Sequence, residues 1–275
     1  MASVDSLVSA SWLNENLDRP DIKVLDGTWV MPGNETRLPE GFIPGAQIFD
    51  IDRIAAPSSM AHMLPTASIF SENVSGMGIS ERDHVIVYDR HGLFSSPRVW
   101  WTFKMFGHEN ISILNGGLPA WINEGFSVSS GPAKSKTRSK YKPKPPSSKV
   151  TTLFDILSAQ GANSQIIDAR SRGRFEGTEP EPRKGLRSGR IPGSLSCPFP
   201  SIKTPDGFLK SNKELGLLFE ASGVDMNAPV ITTCGSGITA AGLAFALDRL
   251  GAANVSVYDG SWTEWGASDA PVETG

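Results

Sequence analysis

The strongest hydrophobic pattern of the sequence lies near its C-terminal end. Val230–Thr233 is an unbroken run of β-branched residues, which is typical of a strand buried on both faces of a sheet. Farther along, leucines recur at helical spacing at Leu243, Leu247 and Leu250, which predicts a helix that begins near Thr239. A short glycine-rich segment separates the two patterns. The sequence therefore predicts a buried strand, a tight loop and a helix in direct succession.

The same alternation of strand and helix patterns runs through both halves of the chain. Helices are predicted at residues 11–17, through Trp100 to Met105, and at residues 153–157. Further strands are predicted at residues 22–25, 85–88, 111–114, 165–168 and 255–258. Such alternation with short connections indicates an α/β fold with mainly parallel sheets flanked by helices. Reactive groups are expected at the carboxyl ends of the strands, because ligands bind at that edge of parallel sheets.

An internal repeat relates the two halves. Three segments match in the same order, namely 41–46 with 189–194, 85–89 with 230–234, and 107–117 with 251–261. A repeat of this length indicates two copies of one domain. We predict an N-terminal domain at 1–128, a basic linker rich in Lys, Pro and Ser at 129–149, and a C-terminal domain at 150–275. The composition of the linker is typical of an exposed connector.

The repeat also separates the expected roles of the two domains. Asp89 stands in the first copy where the second copy has Cys234, and each residue follows a central strand. An aspartate cannot replace a thiolate nucleophile in an attack on sulfur. We therefore expect the N-terminal domain to be non-catalytic and to shape the substrate site, and the C-terminal domain to carry the chemistry.

Composition excludes several classes of protein. The 275 residues are 39% hydrophobic and 20% charged with a net charge of -3, so there is no basic excess that would favour nucleic acid as a partner. No apolar run is long enough to span a membrane. The two cysteines form no disulfide framework, which indicates a reducing compartment. Since no signal or transit peptide is recognised, we expect a cytoplasmic protein.

Cys234 is the candidate nucleophile. Gly235 and Gly237 flank Ser236 in the loop that follows it, so the backbone can turn its N–H groups inward at the start of a helix. Such a cradle stabilises a thiolate. Three alternatives remain: an inert buried cysteine, a dinucleotide-binding loop, and a cysteine phosphatase. The last is disfavoured because Ala240 stands where a phosphatase needs an arginine.

A second candidate segment follows the strand that ends at Asp168. Arg174 and Arg183 lie in this stretch, which is rich in glycine and proline, and both guanidinium groups are suited to hold a small carboxylate. The alternative is that they form surface ion pairs with nearby acidic residues, which are Glu176, Glu179 and Glu181. The other cysteine, Cys197, has an apolar counterpart near Phe49, so a buried core thiol is expected there.

The loop and the duplication together resemble the tandem rhodanese-domain sulfurtransferases, and within them the 3-mercaptopyruvate sulfurtransferase family. The resemblance covers nearly the whole chain. It rests on the loop Cys-Gly-Ser-Gly-Ile-Thr at 234–239, on Gly-Arg-Phe at 173–175 with Glu-Pro-Glu-Pro-Arg at 179–183, and on segments 49–52 and 62–65. Sulfurtransferases of the thiosulfate type carry basic residues within that loop, and this loop has none.

The resemblance implies a mechanism and a set of roles. Cys234 would take the sulfur of 3-mercaptopyruvate as a persulfide and release pyruvate, and a thiol such as thioredoxin, or cyanide, would accept the sulfur. No cofactor and no metal are implied. Residues expected to act in catalysis with Cys234 are Ser236, Asp52 and His62. Residues expected to bind substrate are Arg174, Arg183, Gly235, Gly237, Ile238 and Thr239. Thiosulfate as the preferred donor, and a non-catalytic sulfur carrier, remain alternatives.

Overall fold

The computed structural model describes residues 5–31, 38–135, 137–145, 150–158 and 164–275. The chain divides into two compact units. The first contains Met1–Pro57, Leu64–Ser147 and Pro205–Leu209. The second contains Ser58–Met63, Ser148–Thr204 and Lys210–Gly275. The predicted domain limits, with a linker at 129–149, stay a prediction beside this division.

The first unit is built on five parallel strands. They are β1 (Leu7–Val8), β2 (Ile22–Asp26), β3 (Gln47–Ile48), β4 (His84–Tyr88) and β5 (Ile111–Leu114). Its helices are α1 (Ala10–Asn16), α2 (Ala67–Gly76), α3 (Ser96–Met105) and α4 (Gly117–Asn123). The strand order is β1-β5-β4-β2-β3, so β4 is the central strand, and all five of its residues are buried.

The second unit repeats this plan on four parallel strands. They are β6 (Gln165–Asp168), β7 (Leu195–Ser196), β8 (Val230–Thr233) and β9 (Val255–Val257). Its helices are α5 (Leu153–Ser158), α6 (Arg172–Glu176), α7 (Asn212–Ala221), α8 (Ile238–Arg249) and α9 (Ser261–Trp265). The order β7-β6-β8-β9 matches β3-β2-β4-β5 of the first unit. The predicted α/β fold of two similar domains with parallel sheets is therefore confirmed.

The segment after α4 differs from the expectation of an exposed connector. Its described part adds main-chain hydrogen bonds to the first unit, among them Ser139 N–H to the Ser75 carbonyl at 2.9 Å. Tyr141 is only 4% exposed, and its ring meets Phe70 edge-on at 5.5 Å. The expectation of exposure is wrong at Tyr141, because a single aromatic ring can dock on a core even where the flanking composition is polar. Residues 136 and 146–149 of the predicted linker lie outside the described residues.

In the first unit, the loop after the central strand is closed by its own carboxylate. One Asp89 oxygen accepts hydrogen bonds from the main-chain N–H groups of Phe94, Ser95 and Ser96 at 2.7–3.0 Å. It also accepts the Ser96 hydroxyl at 2.7 Å, and Asp89 is fully buried. The N–H groups at the start of α3 are thus occupied by an anion that belongs to the protein.

None of the helices in the described part of the chain combines the length and the apolar character that crossing a membrane requires.

Candidate active site

Cys234 lies directly after β8 and before α8, as the sequence pattern predicts. The residue is 2% exposed, and the N–H of Gly237 donates to its Sγ at 3.1 Å. Gly237 has a φ of 83°, a left-handed conformation that glycine adopts without strain. This conformation turns the N–H back toward the sulfur at the start of the helix. Sγ therefore lies where an anion would be bound, because a helix N-terminus attracts anions.

Ser261 fixes the backbone of Cys234, and sequence reasoning did not identify it. Its Oγ accepts the N–H of Cys234 at 3.2 Å and donates to the Tyr258 carbonyl at 2.8 Å. The same Oγ lies 4.0 Å from Cys234 Sγ. Next to it, the N–H of Trp262 donates to the Cys234 carbonyl at 2.9 Å. The start of α9 therefore holds both main-chain polar groups of Cys234.

The internal repeat aligns Ser261 with a glycine of the first unit. Its counterpart in the first unit is Gly117, which has a φ of 55°, and a Cβ added there would lie 2.2 Å from the Asp89 carbonyl oxygen. Ser261 adopts a similar φ of 49° although it has a side chain. A left-handed conformation costs a residue other than glycine about 1–2 kcal/mol. The second unit tolerates this strain at the position where the Ser261 hydroxyl lies close to Cys234.

Two substitutions separate strain from hydrogen bonding at Ser261. Ser261→Ala leaves the buried N–H of Cys234 without its acceptor and is expected to cost about 1–3 kcal/mol of stability. Ser261→Gly loses the same acceptor but relieves the backbone strain, so it should unfold at a higher temperature than Ser261→Ala. Both should slow the transfer of a sulfur atom to Cys234 that we propose for this site. Thermal unfolding and mass analysis of the protein after incubation with a sulfur donor check this, and unimpaired transfer in both variants would contradict it.

The arginine-rich segment lies at the same edge of the sheet as Cys234. Strand β6 pairs with β8 so that Asp168 is opposite Thr233, and the chain then leads into α6. Arg170, two residues after the strand, is fully buried and its guanidinium forms a double contact with the Asp168 carboxylate. It also stacks 4.0 Å above the ring of Trp262. The buried Arg170 side chain thus ties this segment to the start of α9 by stacking on Trp262.

Arg174 and Arg183 both reach the loop that follows Cys234. A Cβ built on Gly235 would lie 3.0 Å from Arg174 Nη2 and 3.8 Å from Arg183 Nη1. The missing side chain at Gly235 therefore leaves room for two guanidinium groups next to Cys234. This proximity follows from the parallel pairing of β6 and β8.

The alternative of ion pairing applies to one of these two arginines. Arg174 donates through Nε and Nη2 to the carboxylate of Glu181, at 3.1 Å and 2.6 Å. This pair is not on the surface, because the Glu181 side chain is 2% exposed. Arg183 has no hydrogen-bonding or ion-pairing partner within the described ranges. The two cations thus differ in their surroundings.

The other predicted site residues differ in burial and in the unit to which they belong. In the loop and at the start of α8, Ser236 and Ile238 are buried and Thr239 is half-buried. His62 is 4% exposed with a φ of 62°, and its segment Ser58–Met63 belongs to the second unit. Asp52 is exposed in the first unit, where its carboxylate accepts Trp29 Nε1–H at 3.1 Å. The catalytic roles of Ser236, Asp52 and His62 stay predictions.

Cys197 is a core thiol, as the sequence predicts. It is 1% exposed, and burial raises the pKa of its thiol to about 11. Neither cysteine forms a disulfide. Within the part of the chain that the structure describes, no group of three or more His, Cys, Asp or Glu side chains is arranged to hold a metal ion.

A duplicated α/β unit, with a thiol on a helix N-terminus in one copy and a carboxylate in the other, defines a two-domain protein with one cysteine-centred site. Residues 9–124 and 153–268 each match the family described as Rhodanese-like domain. The chain belongs to the rhodanese-like family, and both copies are members.

Relatives and solved structures agree with this assignment over nearly the whole chain. A Mus musculus protein named 3-mercaptopyruvate sulfurtransferase is 42% identical over 272 residues, which cover 94% of this chain and 91% of the relative. A Cricetulus griseus protein named thiosulfate sulfurtransferase is 41% identical over 281 residues, 98% of this chain and 94% of that protein. The crystal structure of SseA from Escherichia coli, described as a 3-mercaptopyruvate sulfotransferase, matches with a TM-score of 0.84 and 37% identity over 94% of this chain and 99% of that chain.

Proposed function

We propose that this chain is a sulfurtransferase that moves the sulfur of 3-mercaptopyruvate to an acceptor through a persulfide on Cys234. The observation that carries the proposal is the juxtaposition at Gly235: a thiol that accepts a helix N-terminal N–H and two guanidinium groups within reach of the same loop. The Mus musculus relative and SseA carry the name of this activity.

The chemical step transfers one sulfur atom. The Cys234 thiolate attacks the sulfur of the substrate, a sulfur–sulfur bond forms, and the carbon–sulfur bond breaks. The electron pair of the broken bond stays on carbon, giving the enolate of pyruvate, which takes up the substrate's thiol proton to become pyruvate. The Cys234 sulfur is oxidised to the persulfide level and the carbon is reduced. The helix N-terminus stabilises the negative outer sulfur.

The surroundings of the two arginines support different roles. Arg183 has an uncompensated charge, which suits the carboxylate of the substrate. Arg174 uses two of its five N–H groups on Glu181, and three remain to donate to a keto oxygen that becomes negative in the enolate. Ser236, Asp52 and His62 belong to the proposal as groups that orient the substrate or move its proton.

Substitution of either arginine should weaken the reaction with 3-mercaptopyruvate. Arg183→Ala and Arg174→Ala are each expected to lower kcat/KM by about 10–100-fold, because each removes charge-assisted hydrogen bonds worth about 1.5–3 kcal/mol. Arg174→Ala should lower kcat more strongly, since its donors act on charge that develops in the transition state. Initial rates of pyruvate release check both.

Arg172→Ala is the matched control, because Arg172 lies on the same helix but pairs with Glu176 on the exposed face. It should leave the rates unchanged. Unaltered kinetics in both Arg174→Ala and Arg183→Ala would remove these residues from the site.

The proposal as a whole is tested by incubating the purified protein with 3-mercaptopyruvate alone. Pyruvate should appear in one equivalent, and the intact protein should gain the mass of one sulfur atom on Cys234. Adding reduced thioredoxin, as the proposed thiol acceptor, should remove that mass and allow turnover. Absence of both the pyruvate and the added mass would overturn the proposal. A cytoplasmic location is part of the proposal and rests on the sequence prediction.

Thiosulfate is a second candidate donor. The Cricetulus griseus relative is named for it and is about as similar as the others. Against it stands the absence of any basic side chain in the loop 235–239, since thiosulfate carries two negative charges. Rates measured side by side with the two donors decide between them.

A further inference from the structure

Glu181 is held between two guanidinium groups beside the proposed donor site. Its Oε1 accepts Arg170 Nη1–H at 2.7 Å and Arg174 Nε–H at 3.1 Å, and its Oε2 accepts Arg174 Nη2–H at 2.6 Å. The side chains of Glu181 and Arg170 are 2% and 0% exposed. Glu181 is therefore a fixed part of the site and not a mobile surface carboxylate.

The charged side chains between Asp168 and Arg183 largely balance one another. Asp168 balances Arg170 through a double contact, and Glu181 balances Arg174 in the same way. Elsewhere on the segment, the Arg172–Glu176 pair is neutral and exposed, and exposed Glu179 accepts the Ser171 hydroxyl at 2.7 Å. Solvent screens these outer groups more strongly than the buried ones.

Arg183 is the cation of this segment that no acidic side chain among the described residues balances. It has no partner in the ranges that the structure describes, and its guanidinium lies beside Gly235. Two arginines face the loop, but within residues 168–183 they leave one uncompensated positive charge, because the carboxylate of Glu181 cancels the charge of Arg174.

We propose that Glu181 is a specificity-determining residue that makes the site select a sulfur donor with one negative charge over a donor with two. This inference rests on the proposed function. 3-Mercaptopyruvate carries a single carboxylate, which Arg183 alone can balance. Thiosulfate carries two charges, and Arg183 would leave one of them unbalanced.

Each donor transfers one sulfur atom to Cys234, so the two reactions can be compared by the charge of the donor. With thiosulfate, the Cys234 thiolate forms the new sulfur–sulfur bond, the bond within thiosulfate breaks, and sulfite leaves with the electron pair. The persulfide product is identical. A change in the ratio of kcat/KM for thiosulfate to kcat/KM for 3-mercaptopyruvate therefore reports how the site binds each donor.

Glu181→Gln removes the charge and keeps the shape of the side chain. The site then has two uncompensated cations, and the ratio of kcat/KM for thiosulfate to kcat/KM for 3-mercaptopyruvate should rise by about tenfold or more. Glu181→Asp is the matched control, because it keeps the charge and changes the geometry. Its rates should fall while its ratio stays near that of the unaltered enzyme. A ratio that is unchanged in Glu181→Gln, or that shifts equally in both variants, would overturn the proposal.

Arg183→Met supplies an independent variant, since Arg183 has no partner whose loss would disturb the fold within the described residues. It removes the uncompensated cation, so the same ratio should fall, opposite to the change in Glu181→Gln. An unchanged ratio would overturn the proposal even where Glu181→Gln does not fold. Failure of the unaltered enzyme to release pyruvate would instead overturn the proposed function. If the unaltered enzyme releases pyruvate but the ratio of kcat/KM for thiosulfate to kcat/KM for 3-mercaptopyruvate does not change in the variants, only the proposal about Glu181 is overturned.

Discussion

Cys234→Ser is expected to abolish pyruvate release from 3-mercaptopyruvate, with a loss of roughly 10⁴-fold or more. The reason is chemical, because a serine hydroxyl is a far weaker nucleophile toward sulfur than a thiolate and cannot form a persulfide. The substitution is nearly isosteric, so the bonds from Cys234 N–H to Ser261 and from Trp262 N–H to the Cys234 carbonyl should persist. The folded protein should therefore bind the donor without taking up its sulfur.

Cys197→Ala is the control for this experiment. Cys197 is buried, and its raised pKa of about 11 keeps its thiol protonated at neutral pH. Alanine replaces it as another small apolar residue, so sulfur uptake should continue at one atom per chain. Pyruvate release by Cys234→Ser at a rate close to that of Cys197→Ala would contradict the assignment of the nucleophile.

The sequence predicts this fold best where a strand is buried on both faces. The predicted strands at 111–114, 165–168 and 230–233 coincide with β5, β6 and β8. β5 and β8 are compact runs of mainly apolar or β-branched residues and are fully buried, since a central parallel strand must bury both faces. β6 has two isoleucines between Gln165 and Asp168 and is buried only in its second half. The helix after Cys234 is also confirmed and begins at Ile238, one residue before the expected start.

Two long helices were missed although local signals were present. α7 begins after Ser211, whose hydroxyl and Glu214 form a reciprocal capping box. α2 begins after Thr66, whose hydroxyl accepts the Ile69 N–H at 3.3 Å. Their apolar faces are short, so periodicity alone gives a weak pattern. The capping residues were the stronger signal in both cases.

Residue types and strand order predict which residues lie at the candidate site, but they do not predict the contacts between their side chains. The parallel arrangement was enough to expect Arg174 and Arg183 at the same edge as Cys234. The partnership of Arg170 with both Asp168 and Glu181 depends on side-chain directions that no spacing encodes. Likewise, the role of Ser261 depends on its left-handed conformation, and the only advance signal was its alignment with a glycine in the other copy.

Arg170→Met should strongly lower the stability of the protein. Arg170 is fully buried and supports two carboxylates, those of Asp168 and Glu181, while it stacks on Trp262. Methionine would fill much of the volume but leave both carboxylates without this cation. Removing one partner of a buried ion pair typically costs about 3–5 kcal/mol, because the remaining charge is desolvated and uncompensated. With a slope of about 2–3 kcal/mol per molar urea, the unfolding midpoint of the second unit should fall by about 1–2.5 M.

Arg172→Met is the matched control, since it places the same substitution on the same segment. Arg172 pairs with Glu176, but its side chain is 79% exposed, and exposed pairs contribute about 0–1 kcal/mol. Its urea midpoint should stay close to that of the unaltered protein. Arg170→Lys should not restore stability, because an ammonium group cannot form the double contact with Asp168 and also reach Glu181. Equal midpoints for Arg170→Met and Arg172→Met would mean that the buried cluster does not support the fold, and the fixed geometry assigned to Glu181 and Arg174 would lose its basis.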